Sequence, residues 1–139
     1  MSHSPFDFYW KIFEEMNTRA LGILGEQVAV EYLLKSGYRI LERNFQTKTG
    51  EIDIVATKNG VIVFVEVKSR NYLSHGSGLE SVTPDKIYKI IHTAETFLLL
   101  KRLRGADCRF DIILTTDEEV IEHIPNAFTK ADAGRKKHW

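Results

Sequence analysis

Residues 51–68, EIDIVATKNGVIVFVEVK, constrain the fold of this chain more tightly than any other stretch. Two runs of strand-forming residues meet at Asn59-Gly60, the preferred pair for a two-residue type I′ turn. That turn sets Lys58 against Val61, and the pairing then runs back in step to put Asp53 opposite Glu66 and Glu51 opposite Lys68. Side chains alternate along a strand, so Glu51, Asp53, Glu66 and Lys68 project from one face. The other face carries Ile52, Ile54, Ala56, Val63, Val65 and Val67 and reads as core. Ile62 and Phe64 share the charged face, so its charges are gathered at one end of an apolar strand.

Opposed carboxylates, about 4.5–5.5 Å apart at Cβ, repel one another unless positive charge lies between them. Lys68 offsets part of that repulsion, and a divalent cation does so more fully. Hard ions such as Mg²⁺ take oxygen ligands, commonly one or two carboxylates with waters and substrate phosphate. The plainer reading is a solvated strand face with a Glu51–Lys68 surface pair, and spacing alone leaves both open.

The segments around the hairpin read as a single α/β domain. Phe6, Trp10 and Phe13 recur at helical spacing and predict a short amphipathic helix within residues 1–17, placed either on the domain's core or on a partner. Thr18 reads as an N-cap for a helix over about 19–36 that Gly37 stops. Residues 38–45 are extended, and a Gly/Ser-containing loop covers 71–78. Thr83-Pro84 opens a second helix, with Ile87, Ile90, Ile91, Ala94 and Leu98 in phase until about Arg104 and Gly105 as its stop. Strands follow at 109–116 and 120–124. The expected division is an N-terminal helical extension at 1–17, a domain at 18–128 and a basic, frayed tail at 129–139.

Composition bounds the functions available. One domain of 139 residues can bury a core without metal or disulfide staples. The lone cysteine, Cys108, excludes an intrachain disulfide framework and fits a reducing, cytoplasmic setting. It begins a strand and is expected to be a buried small hydrophobe. No apolar run approaches membrane-spanning length, and the opening MSHSPFDFYW lacks the pattern of a signal peptide. Nineteen basic residues balance nineteen acidic ones, so no global field draws in nucleic acid.

Three further residues stand out. Glu26 points away from the polar stripe Gln27, Glu31, Lys35 and falls among Gly22, Ala29, Val30 and Leu33. An acid there needs a salt bridge, with Arg19 or Lys68 as candidates, or a metal. Gly22 and Gly25 would let this helix approach the sheet closely. Lys86 lies in the first turn of the second helix, where the macrodipole disfavours a cation; it is either a tolerated surface lysine or a phosphate contact. His75, in the loop after the charged strand, is a candidate substrate contact, whereas the five histidines show no zinc-ligand spacing.

Gly25-Glu26, GEIDIVA at 50–56, FVEVKSR at 64–70, Lys86 and RFDIIL at 109–114 occur in this order and together resemble the YraN-like family of bacterial proteins. Through it the chain resembles the restriction-endonuclease-like nucleases and the archaeal Holliday-junction resolvases, over about residues 18–128. The resemblance implies a restriction-endonuclease-like α/β core, a mixed central sheet in the order α-β-β-β-α-β-β flanked by helices. It implies that Asp53 and Glu66, with the Val67 main-chain carbonyl and Glu26, bind Mg²⁺ or Mn²⁺, and that Lys68 orients the attacking water. Arg70 and Lys86 would lie near phosphate. The function implied is a metal-dependent endonuclease acting on DNA, including branched DNA, with a homodimer by analogy and no membrane partner. The alternative is a catalytically inactive nucleic-acid-binding or protein-interaction module on the same fold. Acids gathered at one site and bases elsewhere would reconcile either reading with a net charge of zero.

Overall fold

Asn59 and Gly60 have φ of 52° and 79°, the positive values that a type I′ turn requires, and Lys58 pairs with Val61 beside them. The structure, a computed structural model, describes residues 5–69, 82–116 and 118–134. Helix α1 spans Pro5–Lys35 and strand β1 Arg39–Gln46; the hairpin is β2 (Glu51–Lys58) and β3 (Val61–Ser69). Helix α2 (Pro84–Leu100), β4 (Cys108–Thr115), β5 (Val120–Ile124) and a 3-10 turn at Lys130–Asp132 follow. The five strands form one sheet in the order β1-β2-β3-β4-β5. All neighbours are antiparallel except β3 and β4, which are parallel. Helix α2 lies between that parallel pair in the chain, as a crossover requires. This is the expected α/β architecture, a mixed sheet flanked by helices.

The two helices cover opposite faces. Ala29, Val30 and Leu33 of α1 pack on Ile54, Ala56, Val63, Val65 and Ile113. Ile87, Ile90, Ile91, Ala94 and Phe97 of α2 pack on Val55, Ile62, Phe64 and Ile112. Ile62 to Val65 are all buried, which explains a continuous apolar run where a one-sided strand would alternate. Ile52 departs from the expected alternation and joins the α2-side cluster. The pairing with β1 steps from Arg43↔Ile54 to Phe45↔Ile52, and Asn44 between them has φ 52°. The alternation therefore breaks at Asp53. Cys108 is exposed rather than buried, because it sits at the open start of β4.

Both helices end differently from the sequence expectation at one point. No helix starts at residue 18: the 31-residue α1 runs through it. Tyr9, Met16 and Ile23 are spaced by sevens, so the apolar stripe keeps its phase across residue 18, as one helix demands. Gly37 does terminate α1, with φ 90° and a bond from the Tyr38 N–H to Leu33 O at 3.0 Å. At the end of α2 that task falls to Arg102 (φ 58°), not to Gly105. The Leu103 N–H reaches Leu98 O at 2.8 Å and the Arg102 N–H reaches Leu99 O at 3.2 Å, the paired bonds of a Schellman ending. Helix α2 starts as expected, the Thr83 hydroxyl accepting from the Lys86 N–H at 3.2 Å with Pro84 next. Part of the tail is anchored, since the Gly134 N–H donates to Pro84 O at 2.8 Å.

Gly25 and Gly22 part company. A Cβ at Gly25 would collide with Ser69 Oγ and sit 2.6 Å from Thr115 Oγ1, so α1 touches the ends of β3 and β4 through a bare backbone. A Cβ at Gly22 would meet nothing within 4 Å, and no close approach occurs there. Gly25→Ala should therefore destabilise the fold by about 1–3 kcal/mol in urea titrations through overpacking. Gly22→Ala should be neutral or stabilising by about 0.5–1 kcal/mol through helix propensity.

A polar knot pins α1 and β5 to the sheet. Asp111 is fully buried; its carboxylate accepts from Arg109 Nε at 3.1 Å and from the Asn126 N–H at 3.1 Å, and lies 2.7 Å from His123 Nε2. Arg109 also donates to Tyr38 Oη at 2.7 Å, and His123 Nδ1 meets Tyr32 Oη of α1 at 2.9 Å. Burial pushes the Asp111 carboxyl up, but the bonds from His123, Arg109 and Asn126 outweigh it and hold it below the usual range. Asp111→Ala should cost about 3 kcal/mol near neutral pH by stranding buried partners. A carboxyl lowered on folding contributes above its unfolded pKa and loses that contribution in acid. The difference between wild type and variant should therefore shrink as denaturation is repeated below pH 3.8.

Candidate functional site

The site forms where β3 leaves its cover of two helices. From Ile62 to Val65 the strand is buried, while Glu66, Val67, Lys68 and Ser69 are half-buried. The β2–β3 ladder is paired as far as Ile54↔Val65; one step further the same register sets Asp53 at the level of Glu66. No ladder pair forms there. Instead Asp53 Oδ2 accepts a hydrogen bond from the Val67 N–H at 2.8 Å, so a side chain takes the place of a strand partner. Of the two Val67 backbone groups, the N–H is thus committed to Asp53.

Glu66 and Lys68, two apart on β3, pair with each other at 3.2 Å, both side chains largely buried. Lys68 therefore does not make the Glu51 surface pair considered from the sequence. Helix α1 brings Glu26 to the same end of the sheet through the Gly25 contact with Ser69 and Thr115. The charge that opposes Glu26 comes from Arg43 on β1, not from Arg19 or Lys68. With its amide nitrogen turned to the acids, Asn44 donates to Glu26 Oε1 at 2.9 Å and to Glu51 Oε1 at 3.2 Å. The left-handed φ of Asn44 is what places it between them, a conformation Asn tolerates better than most residues.

The electrostatics tie these groups together. Burial, then the charge of Glu66, pushes the Asp53 carboxyl up to about 8, against the pull of the Val67 N–H. Glu26 is raised by burial and by Glu51 and Glu66, with Arg43 pulling it back. From the other face, α2 carries Lys86 in at its first turn. Its ammonium is lowered first by its hydrogen-bonding proximity to Lys68, then by burial and by the like charge, while Glu66 and Asp53 hold it up. Among the described residues, no group of three or more His, Cys, Asp and Glu side chains is arranged to hold a metal ion by itself. No described helix is long and apolar enough to cross a membrane.

Of the residues singled out from the sequence, Glu26, Asp53, Glu66, Val67, Lys68 and Lys86 come together at this end of the sheet. Arg70 and His75 lie outside the described residues. Arg43 and Asn44 were missed. The signal available was slight: Arg43 pairs with Ile54 and Asn44 falls at the level of Asp53, which only the sheet order reveals. The bases outside the site are partly neutralised, Lys89 by Asp85 at 3.2 Å and Lys101 by Glu42 at 3.3 Å.

The model of the family described as "Uncharacterised protein family UPF0102" matches residues 25–115. The chain belongs to this family. A UPF0102 protein of Persephonella marina is 51% identical over 104 residues, covering 75% of this chain and 89% of that protein. One from Trichlorobacter lovleyi is 48% identical over 118 residues, covering 81% and 93%, and one from Dictyoglomus turgidum 44% over 118 residues, covering 81% and 100%. The UPF0102 match opens at the Gly25 contact and closes at Thr115, which that same glycine touches, and so spans every described candidate residue. It begins after the upstream two-thirds of α1.

A carboxyl raised on folding keeps a proton that the unfolded chain releases, so stability should fall as pH rises from 3.8 to about 8 in the presence of chelator. Asp53→Asn retains an acceptor for the Val67 N–H and removes the titration. Its denaturation midpoint should exceed that of wild type at pH 8, with the gap narrowing towards pH 4; parallel curves would contradict the assignment.

Proposed function

We propose that this UPF0102 protein is a Mg²⁺-dependent, endonuclease-like hydrolase of DNA phosphodiester bonds, including those of branched, junction-like DNA. The observation that carries this reading is the meeting of Asp53, Glu66 and Lys68 at the half-buried end of β3 with Lys86 from α2. Two carboxylates, one forced by burial and by its neighbour to hold a proton, suit an oxygen-preferring divalent cation. Mg²⁺ or Mn²⁺ would be held by Asp53 and Glu66, with Glu26 and the Val67 carbonyl completing the set as the family resemblance implies. When bound, the ion lowers the pKa of water and stabilises charge on the phosphoryl oxygens.

The chain's own groups account for the rest. Lys68, held by Glu66 at 3.2 Å, orients the attacking water and stands beside the charge that develops on phosphate. Two ammonium groups converge at Lys68 and Lys86, an arrangement that an anion between them would stabilise. Lys86 lies in the first turn of a 17-residue helix, whose N-terminus favours a phosphate group. Asn44 holds Glu26 and Glu51, and the charge of Arg43 favours ionised Glu26. Phosphate contacts by Arg70 and a substrate contact by His75 belong to the same proposal, as does action in the cytoplasm.

One observation favours the competing reading, a binding module without catalysis: the Glu66–Lys68 ion pair satisfies both groups without a metal. Cleavage of plasmid, single-stranded and four-way-junction DNA separates the two. Mg²⁺- or Mn²⁺-dependent cleavage should fall by at least about 100-fold in Glu66→Ala and Lys68→Ala. Activity undiminished in Glu66→Ala would be contamination and would sink the proposal. DNA binding that survives chelator and is unchanged in Asp53→Ala would establish the binding module.

A further inference from the structure

The connection between β1 and β2 runs into Glu51, two residues before Asp53, so it borders the candidate site. Of its residues, 47–50, only Lys48 is exposed. The others are tied down. The Thr47 N–H donates to Gly50 O at 2.8 Å, and the Thr47 hydroxyl accepts from the N–H groups of Thr49 and Gly50 at 3.1 and 3.3 Å. The turn is also seated on α2. Thr47 Oγ1 lies 3.4 Å from Oγ1 of Thr93, a fully buried threonine that donates to Lys89 O at 2.7 Å. A Cβ on Gly50 would stand 3.1 Å from Thr93 Oγ1 and 3.3 Å from Lys89 Cβ. The Gly50 backbone is not left-handed, so close approach rather than conformation calls for glycine there.

This seating fixes the turn that carries Lys48 against the helix whose first turn carries Lys86. The site itself is rich in acids, with Glu26, Glu51, Asp53 and Glu66 acting on one another through space. A polyanion approaching them needs cations at the border. Lys68 is committed to Glu66 and Lys89 to Asp85. Lys48 and Lys86 form no ion pair among the described residues. A lysine on a loose turn would lose conformational freedom on meeting a phosphate; a turn tied at both its ends and to α2 has lost much of it beforehand. We propose that Lys48 holds a second backbone phosphate of the DNA strand whose scissile phosphate lies at Lys68 and Lys86, with the β1–β2 turn as its rigid mount. The inference rests on the reading of the site as one for DNA phosphodiesters. It gives the strand a direction, from the end of β3 over the start of α2 towards the β1 edge of the sheet. The contact is electrostatic, takes no part in bond breaking and is indifferent to base sequence.

Fluorescence anisotropy of fluorescein-labelled single-stranded, duplex and four-way-junction DNA, read in Ca²⁺ over a salt series, tests this. Lys48→Ala should weaken binding roughly 3–10-fold and lower the slope of log K against log salt by about 0.7–0.9, the loss of one phosphate contact. Lys48→Arg should keep the slope, and Lys35→Ala, in the last turn of α1, should match wild type. Gly50→Ala, which lifts the turn from α2 and leaves the lysine in place, should weaken binding too. Adding Lys48→Ala to it should then cost less than it does in wild type. Unchanged affinity and slope in Lys48→Ala, or losses that simply add in the double variant, would overturn the proposal. Cleavage by the same samples in Mg²⁺ keeps the two readings apart. A wild type that binds but never cleaves, with its slope still lowered by Lys48→Ala, leaves this contact standing and removes the nuclease. Cleavage that depends on Glu66, with binding indifferent to Lys48, does the reverse. A wild type that binds none of the three DNAs removes both.

Discussion

Burial of β3 on both faces is the constraint from which the rest of the molecule follows. From Ile62 to Val65 the strand lies under α1 on one side and α2 on the other, so no position in that run can carry a charge without desolvating it. Charge is admitted only where the strand emerges, at Glu66 and Lys68. The turn at Asn59-Gly60 fixes the register and thereby delivers Asp53 to the level of Glu66. The location of the candidate site is thus a consequence of where the two layers of cover run out.

The site concentrates acids at a cost that the surrounding backbone partly offsets. Asp53 gives up its place in the ladder and takes the Val67 N–H, while Asn44, in a left-handed conformation, donates to Glu26 and Glu51. Such strained or displaced backbone is tolerated where neighbouring structure over-determines it. Here the determinants are the Gly25 contact, which draws α1 onto the ends of β3 and β4, and the Asp111 knot, which ties α1 to β5 through Tyr32 and His123. Both act on the helix that carries Glu26.

The hairpin and its charged end were legible because a two-residue turn and strict alternation are local rules that few residues decide. The same rules failed at Ile52, where Asn44 on the neighbouring strand interrupts the alternation, and a neighbour is not a local property. Thr18 and Gly105 misled for a related reason. Capping chemistry marks where a helix is permitted to end, but the continuous phase of the Tyr9–Met16–Ile23 stripe carried α1 past the first. At the second, Arg102 had already supplied the left-handed residue, so α2 had ended before Gly105 was reached. Gly22 and Gly25 looked equivalent in sequence; only the position of Ser69 and Thr115 tells them apart.

By itself the sequence determined the element order, the hairpin register and most of the residues of the candidate site. Tertiary structure decided which of those residues meet. It brought Lys86 of α2 beside Lys68 of β3, gave Glu26 the company of Arg43 and Asn44 rather than Arg19, and turned Asp53 to the Val67 N–H. It also assembled the Asp111 knot from α1, β4, β5 and the Tyr38 and Asn126 segments. The division has a physical reason. Periodicity and turn chemistry act within a few residues of chain, whereas charges interact through space, and their neighbours exist only once the helices have docked.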